Sequence, residues 1–529
     1  MTLDRSIQFR PVIILPTFFR RLFSGRSFFT QRMTWLRNRI VDRNGHDQII
    51  LTGLFMNDPD LNGKCQMTEA NVTARPAKAR SSAGPNRLAD GPIATSIIRL
   101  AFPNLIAIST ATLVSVAETA YAGRIGLDAL GGMAVVFPIV VLQQSLSNGA
   151  MGGGVSSAVS RALGAGDHDR AEAMALHALV LAVVLGLLTS LVMLLFAPLL
   201  WHALGARAGA LEGAMAYGEV AFLGSTGVWM TGLLLSVLRG SGNMQLSASI
   251  TFVLLLVQIA VGALFCFGLG PVPAFGMAGI AAGLSVAYGG AGLVLVMYLR
   301  STRAHVRLRF AGMRLSARHF GEILSVGLPT CIAPFQSVLT VVITTALISR
   351  HGPEALAGYG IGARLEMVMI PLAFAIGVAC LPMVGVAIGA GNVARAKRVA
   401  ATGAGIAAAT VGCIGILAAI WPEVWPRLFT GEEQAIGHAA AFLVRSGPAY
   451  LFFGLGLCLL FASQGARKVG GPVLAGTTRL AIVISGGALL SHLDAGIDAY
   501  FWLTAVGMVA YGLFAGTAVR ISDWGKRNT

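Results

Sequence analysis

The chain predicts an all-α integral membrane protein, with about twelve transmembrane helices in two parallel six-helix lobes related by pseudo-twofold symmetry. Three observations carry this expectation. The first is composition. Hydrophobic residues make up 55% of the chain and charged residues 12%, with a mean hydropathy of +0.73. A soluble domain carries about 25% charged residues. The second is an internal repeat. Asp128-Ala129-Leu130-Gly131 and Gly164-Ala165-Gly166-Asp167 return as Glu354-Ala355-Leu356-Ala357 and Gly389-Ala390-Gly391-Asn392, at offsets of 226 and 225 residues. Pro103 and Pro329 keep the offset of 226, and Gly240 and Gly465 that of 225. The third is loop charge, which is strongly positive on alternate connections.

Residues 1–92 differ in kind from the rest. Seven arginines between Arg20 and Arg43 interleave with Phe18, Phe19, Phe23, Phe28, Phe29 and Trp35. The apolar stretch Pro11–Phe19 is too short to span a bilayer and lacks a cleavage site. Residues 71–92 have the Ala, Pro, Ser, Arg and Gly content of a disordered linker. This basic extension reads either as a disordered leader, with Met56 and Met67 as alternative starts, or as an amphipathic segment resting on anionic lipid. Composition favours the leader.

From residue 93 onward, apolar runs of about 20 residues recur, each long enough to cross a bilayer as a helix. Helices are expected at 93–122, 130–156, 172–197, 214–238, 244–268, 276–299, 318–349, 356–388, 399–421, 438–463, 471–491 and 497–519. The ten-residue alternation of a membrane β-barrel is missing, and 66 glycines suit helices that approach closely. Prolines 103, 138, 329, 334, 371, 382 and 448 fall inside these runs, where each removes a backbone hydrogen bond and favours a kink. Pro103 marks the kink expected in the first helix.

Loop charge orients the chain. With the N-terminus in the cytoplasm, the inside connections and the tail hold 17 Lys and Arg, and the outside connections hold four. That ratio places both termini in the cytoplasm and requires an even number of spans. Repeats separated by six spans are parallel, related by an axis along the membrane normal. The domain plan is therefore an extension at 1–92, an N-terminal lobe at 93–299, an Arg-rich cytoplasmic linker at 300–317, a C-terminal lobe at 318–520 and a cytoplasmic tail at 521–529.

The net charge of +16 does not point to nucleic acid, because it is spread over the extension and the short loops rather than along one stripe. The six cysteines have no metal-ligand spacing and read as small buried hydrophobes. No His-x-x-x-His pair is present, and no nucleophile–base cluster of an enzyme lies within the helices. No cofactor is expected.

The stretch Pro103…Glu118-Thr119…Ala122-Gly123-Arg124-Ile125-Gly126…Ala129-Leu130 resembles the opening helix of the multidrug and toxic compound extrusion (MATE) transporters. Ser160-Arg161-Ala162-Leu163-Gly164-Ala165-Gly166-Asp167 and Leu238-Arg239-Gly240-Ser241-Gly242 resemble later family positions. So do Gly327-Leu328-Pro329, Gly389-Ala390-Gly391 and Ser463-Gln464-Gly465 in the second half. Each motif alone is unspecific; their order, spacing and duplication over 93–520 are specific. The resemblance implies a monomeric inner-membrane exporter that alternates between inward- and outward-facing states. It would exchange H⁺ or Na⁺ for small organic, often cationic or amphipathic, molecules. Its partners are the cargo and the lipid bilayer. A flippase for a lipid-linked precursor is the alternative within the same superfamily.

Glu118 is the leading mechanistic residue. It lies between Val116-Ala117 and Thr119-Ala120, and an ionisable group in a membrane helix is costly enough to suggest a function. Family resemblance implies an ion-coupling carboxylate at this position, usually an aspartate. Gln258 and Gly262 stand where one branch of the family has Asn and Asp, so Gln258 keeps an amide near the site and Gly262 supplies no acid. A single carboxylate fits H⁺ better than Na⁺, which wants several oxygen ligands. Gln144 and Asn148 share one helix face and either line the cavity or bond neighbouring helices. Gln336, Tyr359, Arg364, Glu366 and Tyr450 are further cavity candidates. Arg445 and Arg479 read as structural or snorkelling. A flippase cavity would need many basic residues, and Arg364, Arg445 and Arg479 are few for that, with Arg99 and Arg318 near the ends of their expected helices.

Overall fold

The computed structural model describes residues 91–268, 271–310 and 314–525, together with the backbone of two strands, β1 (Leu36–Val41) and β2 (Asp47–Thr52). The strands pair antiparallel, with Leu36 opposite Thr52 and Val41 opposite Asp47. This element was not expected from the sequence of the extension. The Pro11–Phe19 stretch, the linker up to residue 90 and the last residues of the tail lie outside the described residues.

Residues 93–521 are a bundle of long helices. In chain order these are α1 (Ile93–Ile125), α2 (Leu127–Gly164), α3 (His168–Ala203), α4 (Ala208–Leu223 and Ser225–Gly240), α5 (Met244–Phe267) and α6 (Met277–Arg300). The second half contains α7 (Ala317–His351), α8 (Pro353–Gly389), α9 (Val393–Ile420), α10 (Glu433–Gly465), α11 (Gly470–His492) and α12 (Ile497–Ile521). Among the described residues, eleven helices are individually long and apolar enough to span a bilayer, and the bent pair α4 supplies the twelfth.

The fourth span corrects the sequence reading. It starts at Ala208 and is broken by 49° at Gly224, where an uninterrupted helix over 214–238 was expected. No proline causes the break. Instead, side chains from neighbours take the carbonyls there: Ser285 donates to Val220 at 2.9 Å and Ser190 to Phe222 at 2.7 Å. Such intrusion into the helix ladder is a known source of kinks. The prolines, by contrast, are accommodated. α1 continues as one helix through Pro103, and α7 and α8 each contain two prolines. α2 widens into a π turn at Leu146–Met151.

The repeat motif explains a tight corner. Gly166 has φ +75° and Gly391 φ +77°, a left-handed conformation that only glycine adopts without strain. The following residue caps the next helix: Asp167 accepts from the Arg170 amide and Asn392 from the Arg395 amide, both at 2.9 Å. The first glycine of each motif serves packing. A Cβ on Gly164 would strike the Val386 backbone, and one on Gly389 the Arg161 carbonyl. The two contacts are the same contact, exchanged between halves.

Helix adjacency repeats in the same way. In the first half α1 packs on α5, α5 on α6, α6 on α4, and α4 on α2 and α3. In the second half α7 packs on α11, α11 on α12, α12 on α10, and α10 on α8 and α9. The lobes meet chiefly where α2 crosses α8, with α1 against α8 matched by α7 against α2. The closest approaches lie toward the arginine-rich loops. There Arg170 of α3 pairs with Glu322 of α7 at 2.5 Å, and the repeat-related Arg395 of α9 donates to the Gly91 carbonyl before α1 at 2.7 Å.

The linker is docked on the first lobe. Ala304, Val306 and Leu308 are buried in its core, and Arg309 pairs with Glu172 at 3.0 Å. Two arginines assigned to loops by their sequence position instead lie between the lobes, Arg239 buried and Arg161 half-buried. α2 and α4 run on to Gly164 and Gly240 and carry Arg161 and Arg239 inward with them.

The glycine contacts make a direct prediction. Gly164→Ala and Gly389→Ala each overpack the crossing of α2 with α8 and should cost about 1–3 kcal/mol. Gly123→Ala, with nothing within 4 Å of its Cβ, should cost none of this. Thermal unfolding in detergent should separate the three variants.

Candidate functional site

The packed face of α1 runs Ile97, Ala101, Asn104, Ala107, Thr110, Val114, Glu118 and Ala122, a stripe at helical spacing. Glu118 therefore points into the lobe and is 2% exposed. Gln258 of α5 donates its Nε2–H to Oε1 of Glu118 at 2.7 Å. The Tyr217 hydroxyl of α4 faces the same carboxyl at the margin of hydrogen-bonding geometry, and Tyr288 of α6 and Tyr121 of α1 stand within electrostatic reach. No basic side chain acts on Glu118. Oε1 of Gln258 is buried without a partner. A Cβ at Gly262 would make ordinary contacts, the nearest 3.7 Å from the Ile280 carbonyl, so α6 packs against the position where one branch has its acid.

The second lobe gathers a different set. Glu366 of α8 lies among Tyr359, Tyr450 of α10 and Arg479 of α11, which act on one another electrostatically. Arg479 is buried at 8% exposure, with its guanidinium 5.3 Å over the Phe453 ring and its Nε unpartnered. It is thus part of a polar cluster, where a structural or snorkelling position was expected. Arg445 is structural, paired with Asp498 at 2.7 Å. Arg364 is exposed and lies 5.4 Å over the Phe429 ring, apart from Glu366 and Tyr359.

The remaining candidates are scattered. Gln336 is buried and donates to Thr477 Oγ1 at 2.7 Å, joining α7 to α11. Gln144 is half-buried. Asn148 accepts from Arg239 at 3.3 Å in the seam between lobes. Of the sequence candidates, the structure brings together Glu118 with Gln258, and Tyr359 with Glu366 and Tyr450. Sequence reasoning missed Tyr217 and Tyr288, because lone tyrosines in apolar runs carry no signal. Arg239 stands at the end of a mostly apolar run and was read as a loop charge; its repeat position is the uncharged Gln464.

Comparison with known proteins agrees with the two-lobe plan. The MatE family model matches twice, over residues 103–264 and 329–487. The "Probable multidrug resistance protein NorM" of Thermotoga maritima is 27% identical over 348 residues, covering 65% of this chain and 74% of that protein. A Shewanella oneidensis protein named "FAD transporter" is 24% identical over 380 residues, covering 71% and 82%. Among solved structures, an outward-facing multidrug resistance MATE family transporter superposes with a TM-score of 0.76 at 21% identity, covering 82% of this chain and 97% of its own. A transporter of the MOP superfamily from Pyrococcus furiosus gives 0.75 at 21%, with the same coverage. At that identity the structures establish the fold alone. With more than half of its length matched in two repeated blocks, the chain is a multi-pass membrane transporter of the MatE family.

Proposed function

We propose that this transporter is a proton-coupled antiporter that exports organic, cationic or amphipathic compounds across the inner membrane, with both termini in the cytoplasm. The observation that carries the coupling is Glu118, a buried carboxyl hydrogen-bonded to Gln258 with no basic partner. A buried carboxylate without a counter-charge is costly. It therefore takes up either a proton or a metal cation. The surroundings favour the proton. Gln258 and the two tyrosines are neutral, and among the described residues no three acids, histidines or cysteines gather to hold a metal. An amide also suits both forms of the acid. It donates N–H to the carboxylate and, turned over, accepts from the carboxylic acid through its free oxygen. Na⁺ remains the second candidate for coupling.

The lobes are closed at the arginine-rich end, which by the positive-inside rule is cytoplasmic. On that orientation the closed end faces the cytoplasm, and Glu118, buried in this state, would exchange its proton with the outside. Protonation is proposed to bend α1 at Pro103 and shrink the N-lobe site, expelling the cargo. Relatives named for multidrug resistance and multidrug export support the cargo class. The flippase alternative is less well supported. It needs converging basic residues, whereas Arg364, Arg445 and Arg479 each have separate partners.

In proteoliposomes, an imposed pH gradient should drive transport of a fluorescent organic cation, and an imposed Na⁺ gradient should not. Glu118→Gln should lower pH-driven transport by more than about tenfold, ~1.4 kcal/mol in rate terms. Wild-type transport by a well-folded Glu118→Gln variant, or drive by Na⁺ alone, would refute proton coupling at this residue. Gln258→Leu removes the hydrogen-bond partner of the acid and should cost about 1–3 kcal/mol of stability, read by thermal unfolding, together with a partial loss of transport.

A further inference from the structure

The seam between the lobes encloses a pocket whose two walls differ in kind. The first lobe supplies Asn148, Ser156, Ser236 and Arg239. Val378, Leu381 and Phe461 come from the second. The repeat relates these walls position by position. At the offset of 225, Ser156 corresponds to Leu381, Ser236 to Phe461, and Arg239 to Gln464. At the first two of these pairs the same fold position is filled with an apolar side chain in one copy and a polar one in the other, and at the third a charged residue corresponds to a neutral amide. The architecture does not require the polar wall.

Arg239 is 6% exposed. One of its terminal nitrogens donates to Asn148 Oδ1 at 3.3 Å and to Ser236 Oγ at 3.0 Å. Its Nε–H has no partner, and no other charged side chain acts on it. The buried Ser156 hydroxyl is also unpartnered, as is the Gln464 amide, which reaches across from the second lobe against Gly153 of the first. A buried guanidinium ordinarily has a counter-charge, since an uncompensated one is among the most unfavourable features of an interior. The free space is about that of one water molecule, too small for an oxyanion or an organic acid.

We propose that this pocket binds a single monatomic anion, chloride under ordinary conditions, between the guanidinium of Arg239 and the hydroxyl of Ser156, with the Gln464 amide of the other lobe close by. An anion held there contacts both lobes and is bound only while they are together. It therefore favours the state closed at this end. The inference is independent of the cargo and of the coupling ion.

The test is thermal unfolding of the purified protein in detergent, in sodium chloride and in sodium gluconate at equal ionic strength. Binding to the folded state alone raises Tm with the logarithm of chloride concentration above Kd. Bromide should act like chloride and gluconate should not. Ser156→Asp places a carboxylate in the pocket and should abolish the dependence on chloride. Bromide-soaked crystals should show anomalous scattering between Arg239 and Ser156, which decides the matter even if the variant does not fold. Equal Tm values in chloride and gluconate, an unchanged chloride response in Ser156→Asp, or a pocket without bromide would overturn the proposal and leave water as the occupant.

Discussion

The structure depends on backbone-to-backbone contact between α2 and α8. In lipid no hydrophobic force draws helices together, so close packing of small residues must hold the lobes. Gly164 against Val386 and Gly389 against Arg161 provide that contact. The adjacent Arg170–Glu322 pair and the Arg395–Gly91 hydrogen bond fall at the same end because the crossing brings α3 to α7 and α9 to α1. The crossing also fixes what the seam buries. Ser157 bonds the Gln464 carbonyl across it, and Arg161 reaches the Gly465 carbonyl.

The two lobes share a frame and differ in charge. Both place one acid among tyrosines. In the first lobe the acid has only an amide for a partner, and in the second it faces a buried arginine. The second lobe thus contains its own counter-charge, whereas the acid of the first has only neutral partners among the described residues. The two acids thus differ in electrostatic surroundings, although the helices around them repeat the same adjacency.

Much of the fold was legible because membrane helices announce themselves by length and hydropathy. The repeat was legible because its glycines and its Asp167/Asn392 caps answer local geometric needs that recur at the same place. The break in α4 was not, since it arises where Ser190 and Ser285 of other helices reach its carbonyls beside Gly224, and a lone glycine among 66 does not announce that approach. The site was half legible. A lone acid in an apolar run stands out, as Glu118 and Glu366 did. The inward placement of Arg161 and Arg239 depends on how far a helix continues and on which face meets the other lobe. Neither can be read from a polar residue at the end of an apolar run.

The exchanged glycine contacts have one more consequence. Residue 164 touches 386 while 389 touches 161, so each half presents to the other the surface it receives. That is the interface of an isologous dimer, held within one polypeptide. A chain of half this length, with six spans, would have the surface needed to pair with a second copy of itself as a closed twofold. Joining two copies frees them from having to stay identical. Ser156 facing Leu381 across the axis is a difference that no homodimer could contain.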